Sequence, residues 1–277
     1  MTLSGKELCI AFPDTVLEEH DSLREKTAKL GQIARICSIF GVDCIQVFAD
    51  PRGGGESALI KRVLEYLETP QYLRKRLFPL DESLKYAGVL PPLRIPSHKP
   101  KVRPENLREG EFREGALLEG GRMVDIGLDV PLDLGSAAKE LGRVTVRITS
   151  TSPLQGLAVS RTQPTEYWGY TVEEKNVEQV LSDSHFDLRV ATSRLGEPLV
   201  SCIRRLEGMT SKSKSTMLLF GSPSRGLLEM IPDLRRRVDL IMNLYTEQHV
   251  ATVRTEEAIG SALYLLEVLS VSKDTKV

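Results

Sequence analysis

The chain has 277 residues, enough for about two domains and for a core that needs no disulfide or structural metal, and its 41% hydrophobic and 27% charged content is ordinary for a globular protein. Lysine plus arginine number 37 against 38 aspartates plus glutamates, a formal net charge of −1, so any surface for a polyanion has to be a local patch. No apolar run is long enough to span a membrane, the first residues lack a signal-peptide pattern, and Cys9, Cys37, Cys44 and Cys202 have no metal-ligand spacing; these features lead us to expect reduced core thiols in a cytoplasmic protein.

Residues 7–12 (ELCIAF) read as a strand closed by Pro13 and Asp14, and residues 16–40 carry helical periodicity that Gly41 ends. Residues 42–50 are β-rich and run into Pro51 and three glycines, and residues 56–68 place Leu59, Val63, Leu64 and Leu67 on one helical face. A strand, a helix and a strand in that order predict a βαβ unit and a parallel sheet. Between 70 and 104 lie 7 of the 15 prolines and 8 lysines and arginines, against Asp81 and Glu82 alone, which marks a boundary or crossing segment. From 111 to 165 short β-like runs alternate with glycine turns, the pattern of a small closed barrel. After Trp168 the α/β pattern resumes: a helix over 173–181, a strand over 187–193, a helix over 198–206, strands within 215–227 and 238–245, and an amphipathic helix over 255–269. We therefore expect an α/β domain in two halves, 1–90 and 167–277, interrupted by a barrel over 91–166.

The familiar chemical motifs are absent. There is no GxxxxGK[ST] or GxGxxG, RGGGES (52–57) reads as a bare turn, GSPSRG (221–226) is not GxSxG, and the four histidines lie in unrelated contexts without metal spacing. Three turns remain at the carboxyl ends of expected strands: Ala191–Gly196, Phe220–Gly226, and Met242–Leu244 with the loop YTEQHVATVR that follows. Open α/β sheets bind ligands at such ends, and small residues let backbone approach a ligand; plain strand-to-helix connections would look the same.

Residues 215–266 resemble the C-terminal half of SPOUT-class RNA methyltransferases, through LLFGSPSRGL and NLYTEQHVATVRTEEAIGSAL. Across the chain the resemblance narrows to the RNA uridine N3-methyltransferases of that class, carried by IAFPDT (10–15), LETPQYLRKRLFP (67–79), AGVLPPL (87–93), VDIGLD (124–129) and VRTEEA (253–258). It implies an α/β domain with a C-terminal trefoil knot, an inserted OB-like β-barrel, a homodimer, and S-adenosylmethionine as methyl donor. It also implies a cofactor pocket built from Thr192, Ser193 and Gly196, from Gly221, Ser222 and Gly226, and from Asn243, Leu244, Val253, Thr255 and Ala258. Where that family carries Pro-Gly-Gln-Gly after Asn-Leu, this chain has, after Tyr245, Thr246-Glu247-Gln248-His249.

N3-methylation requires the weakly acidic N3 of uracil to lose its proton, so a general base or a cation near O2 or O4 would supply rate. Arg254, Gln248 and Glu256 are the catalytic candidates, with Arg225 nearby; Glu256 as a first-turn helix carboxylate and Arg225 as a surface cation are the bland alternatives. For RNA, which the resemblance implies is large-subunit rRNA, the candidates are Arg74, Lys75, Arg76, Lys99, Lys101 and Arg103 in the basic segment, and Arg143, Arg147 and Arg161 in the barrel. Phe112 is the only aromatic residue between 105 and 165, which argues for phosphate and shape contacts over base stacking. A non-catalytic RNA-binding ribosome-assembly factor is the competing reading, and a dehydrogenase lacks its fingerprint at the first βα turn.

Overall fold

The computed structural model describes residues 5–136 and 142–271. Strand β1 (Glu7–Pro13) is buried almost throughout and leads through a turn to helix α1 (Leu23–Ile39). Ser22 caps α1 by accepting the Glu25 amide, and Gly41, at φ +67°, turns the chain into β2 (Cys44–Phe48) as the sequence predicts. Helix α2 (Ser57–Glu68) and α3 (Gln71–Leu77) follow, and Pro70 separates them. The proline-rich stretch to residue 111 holds only short 3-10 turns.

Five strands come next: β3 (Phe112–Leu117), β4 (Met123–Asp125), β5 (Leu132–Asp133), β6 (Arg143–Thr151) and β7 (Leu154–Val159). The α/β pattern then resumes with β8 (Thr171–Lys175), α4 (Val177–Leu181), β9 (Leu188–Pro198), α5 (Leu199–Lys212), β10 (Ser215–Leu219), α6 (Leu227–Met230), β11 (Leu240–Asn243) and α7 (Thr255–Val271). The sequence places a single helix over 173–181; its first part is instead the strand β8. Only Val172 is buried in that edge strand, so TVEEK lacks the apolar content that marks the inner strands.

The chain divides into two compact units, with the division falling inside α2. One comprises residues up to Glu65, Tyr86–Pro91 and the chain from Tyr170 onward. Its sheet has six strands in the order β11-β9-β10-β1-β2-β8, every neighbouring pair parallel. Parallel pairing requires cover on both faces, which explains the near-continuous apolar runs of β1, β2 and β10. Cys9, Ala11, Met217 and Leu219 pack on one face with Leu181 of α4 and Leu227 of α6.

The second unit comprises Tyr66–Lys85 and Pro92–Gly169. Its strands close into a barrel in the order β3-β4-β5-β7-β6, with β6 returning to β3. Val124, Ile126, Leu132, Val146 and Ile148 fill it. Gly115 faces inward against Val124, and a Cβ at Gly156 would sit 2.8 Å from the Arg147 carbonyl, so close strand approach requires both glycines.

Candidate functional site

At the carboxyl ends of β9, β10 and β11 a cleft of about 350 Å³ opens, within the range of small-molecule sites. Three segments line it, and they are the three turns singled out in the sequence.

The first is a break in β9. Val190 and Ala191 pair with Leu240 and Ile241, but the next residues of β11, Met242 and Asn243, pair with Glu197 and Pro198. Thr192–Gly196 therefore bulge out of the ladder, a device that re-aims side chains beside active sites. The bulge is fixed from several sides. Thr192 Oγ1 donates to the Leu219 carbonyl at 3.2 Å, Asn243 Nδ2 to the Arg194 carbonyl at 3.1 Å, and the Leu195 amide to Ser193 Oγ at 3.2 Å. Gly196 lies outside the lining; a Cβ there would sit 2.7 Å from the Met242 carbonyl carbon, so this glycine lets β9 return against β11.

The second segment follows β10. The Ser222 amide donates to the Arg225 carbonyl at 3.0 Å and the Arg225 amide to Ser222 Oγ at 3.2 Å, closing a tight turn. A Cβ on Gly221 would meet the Arg225 carbonyl oxygen at 2.8 Å. Arg225 faces two carboxylates, Asp50 at 2.6 Å and Glu229 at 3.2 Å. Burial pushes the Asp50 carboxyl up, but the Arg52 amide, the Thr15 hydroxyl and Arg225 outweigh it and hold it below the usual range. Glu18, opposed in the same way by burial, is held low by the Ser224 and Ser222 hydroxyls.

The third segment runs from Asn243 to Ala258. Asn243 Oδ1 accepts the Tyr245 amide at 3.0 Å, ending β11 in an Asx turn. Gln248 Nε2 donates to the carbonyls of Val250 at 2.6 Å and Ala251 at 3.0 Å, bracing the loop from within. Thr255 Oγ1 donates to the Gly221 carbonyl at 3.1 Å, joining the start of α7 to the second segment.

The cleft thus brings together Thr192, Ser193, Gly221, Ser222, Gly226, Asn243, Leu244, Gln248, Val253, Thr255 and Ala258. Arg254 and Glu256 stand outside the lining. Arg254 is exposed, and its amide donates to Glu257 Oε2 at 2.9 Å, half of a capping box. Glu256 is buried against Lys29 of α1, an ion pair at 3.2 Å without hydrogen-bond geometry. Arg194, Leu195, Phe220, Leu228 and Glu229 also line the cleft. Arg194, Leu195 and Phe220 lay within turns already marked, and nothing in local spacing singles them out from the other members of those turns.

The candidate RNA contacts fall into two groups. Arg143 pairs with Glu68 and Glu114, Arg161 also pairs with Glu68, and Trp168 Nε1 and the Thr145 hydroxyl donate to Glu114. Burial pushes Glu114 up, but Arg143 and Arg161 overcome it and hold its carboxyl below the ordinary value. Arg74 is likewise buried and donates to the carbonyls of Thr69 and Leu67. Lys75, Arg76, Lys101 and Arg103 are exposed, Lys99 and Arg147 partly so.

Comparison with known proteins gives this architecture a family. Residues 7–266 match the model of a family described as "Putative RNA methyltransferase". The chain belongs to this RNA methyltransferase family. It is 33% identical over 281 residues to an uncharacterised protein of Halobacterium salinarum, covering 92% of this chain and 96% of that one. It is 31% identical over 304 residues to the 28S rRNA (uridine-N(3))-methyltransferase of Mus musculus, covering 94% and 76%. Among solved structures, the SpoU methyltransferase AviRb from Streptomyces viridochromogenes aligns over 96% of this chain and 61% of its own, at 10% identity and a TM-score of 0.42. In this methyltransferase, no helix among the described residues is long and apolar enough to cross a membrane.

Proposed function

We propose that this protein transfers a methyl group from S-adenosylmethionine to N3 of a uridine in large-subunit rRNA, and that the β9–β10–β11 cleft is its cofactor site. The observation that carries this reading is the convergence of three turns from three parallel strands on one cleft of about 350 Å³. The lining fits such a cofactor. Leu195, Phe220, Leu244 and Val253 offer apolar surface for an adenine ring, and Gly221 lets the turn after β10 close against the Arg225 carbonyl, where a Cβ would clash. Thr192, Ser193, Ser222, Asn243, Thr255 and Ala258 would complete the holding set, with Gly226 at the head of α6 and Gly196 shaping the bulge. When bound, S-adenosylmethionine supplies an electrophilic methyl group that N3 attacks while sulfur takes the bonding pair.

Among the catalytic candidates Gln248 fits the cleft best: its amide nitrogen braces the loop, which leaves Oε1 to accept the N3–H of the base and orient it. Arg254 would serve from the rim and Glu256 through the start of α7. Lys75, Arg76, Lys99, Lys101, Arg103 and Arg147 would meet RNA phosphates, while Arg74, Arg143 and Arg161 would act by holding the barrel unit together. The barrel would be of OB type and the C-terminal half of the α/β unit a trefoil knot of the SPOUT class, a reading supported by β9 lying between β10 and β11. A homodimer is supported by the outward face of α7, where Tyr264, Val268 and Val271 are exposed. Cytoplasmic residence is supported by four buried free cysteines.

Nucleoside mass spectrometry of rRNA from cells lacking the protein tests this. One N3-methyluridine should disappear and return with the wild-type gene. An unchanged set of methyluridines, together with a defect in ribosome assembly, would favour the non-catalytic factor.

A further inference from the structure

Among the described residues two guanidinium groups line the cleft, and their surroundings differ. Arg225 is committed to Asp50 and Glu229. Arg194 has its backbone fixed, by Asn243 on its own carbonyl and by Ser193 and Arg235 on the amide and carbonyl of Leu195, yet no side chain among the described residues pairs with its guanidinium. It stands in the middle of the Thr192–Gly196 bulge, exposed and at the cleft. A positive charge on an anchored backbone, left without a carboxylate beside a neighbour that has two, is placed to meet charge that arrives from outside. Glu229, the one carboxylate in the lining among the described residues, is already shared between Arg225 and Arg52.

We propose that Arg194 meets the uracil beside Gln248, donating hydrogen bonds to the O2 or O4 carbonyl next to N3. This rests on the functional reading above and adds the group that makes N3 reactive. As the N3–H bond breaks, its electron pair delocalises onto N3, O2 and O4, and the proton passes to solvent water. A guanidinium at one of those oxygens stabilises the anion more than the neutral base, so it lowers the barrier without taking the proton. Its planar fork and permanent charge suit that task, and lysine reproduces the charge but not the fork.

The test is single-turnover methyl transfer to a large-subunit rRNA transcript across pH, with wild type, Arg194→Lys and Arg194→Gln, alongside binding of S-adenosylhomocysteine. Arg194→Gln should be slower by about 10²–10³-fold near neutral pH, should recover part of the rate as rising pH ionises the base unaided, and should bind S-adenosylhomocysteine like wild type. Arg194→Lys should fall between. A rate within twofold of wild type with an unchanged pH profile would overturn the proposal. So would a tenfold loss of S-adenosylhomocysteine affinity, which would assign Arg194 to the cofactor carboxylate instead. Phenylglyoxal footprinting needs no turnover: Arg194 should react before Arg225 and be protected by the transcript, and an unprotected Arg194 in a bound complex would contradict the proposal. A wild type that binds the transcript but forms no N3-methyluridine defeats the functional reading alone, and the footprint then decides whether Arg194 meets the RNA.

Discussion

The Thr255 hydroxyl donates to the Gly221 carbonyl oxygen at 3.1 Å, across a sequence separation of 34 residues. This bond ties the first residue of α7 to the turn after β10, so two of the segments that line the cleft move as one. Thr255→Val removes the donor and leaves the carbonyl unpaired, at about 1–3 kcal/mol. We expect affinity for S-adenosylmethionine to fall about tenfold in equilibrium dialysis, and Thr255→Ser to retain it. Equal affinity in Thr255→Val would mean that the bond does not position the cleft.

The Asp50–Arg225 pair makes a different prediction. Asp50 is almost fully buried and its carboxyl is held below the usual range. A depressed carboxylate contributes stability that is present above its unfolded value of 3.8 and is lost as pH falls through the lower folded value. Wild type should therefore lose this contribution only below about pH 4. Asp50→Asn should cost about 3–5 kcal/mol at neutral pH, because the Arg225 charge is left without its closest partner, and should flatten the acid limb of urea unfolding. An unchanged acid limb would remove the pair from the stability account.

Asp43 has the opposite sign. Burial raises its carboxyl to about 6, with Glu7 adding to the rise and the Leu8 amide opposing it. The folded state holds that proton where the unfolded chain has released it, so stability falls as pH rises from 3.8 to about 6. Asp43→Asn keeps an acceptor for the Leu8 amide and removes the charge. It should stabilise the protein by about 1–2 kcal/mol at pH 8, after allowance for solvent screening, and by nothing at pH 3.5. Unfolding curves at the two pH values check this.

The arginines and lysines separate by role. Replacing Lys99, Lys101 and Arg103 together with glutamine should weaken RNA binding and reduce the slope of log affinity against log salt by about 2–3, with the melting temperature little changed. Arg143→Gln should instead melt the barrel unit, because Glu68 and Glu114 lose a buried partner. Matching effects from the two variants would contradict the division.

The positions of the three turns were legible because each follows an apolar run and contains small residues, and those are local signals. What the side chains do there was not local. Arg225 is matched by Asp50, 175 positions earlier, and Arg143 by Glu68, 75 positions earlier, so neither reads from its neighbours as a buried partner. Glu256 has the appearance of a free carboxylate at a helix start until Lys29 of α1 is seen beside it. The break in β9 depends on where Met242 re-pairs, which no strand pattern carries. The strand β8 was hidden for the reason that edge strands usually are, a polar face on nearly every residue.

The most direct test of the central claim is calorimetric titration with S-adenosylhomocysteine of wild type, Gly221→Val, and Gly208→Ala as a control whose new Cβ meets nothing within 4 Å. A valine at 221 would drive its Cβ to 2.8 Å from the Arg225 carbonyl oxygen and 3.2 Å from the Gly226 Cα, both backbone. Wild type and Gly208→Ala should bind at one site per chain, and Gly221→Val should not bind. Absence of binding in wild type, with or without RNA, or full binding in Gly221→Val, would contradict the assignment of this cleft as the cofactor site.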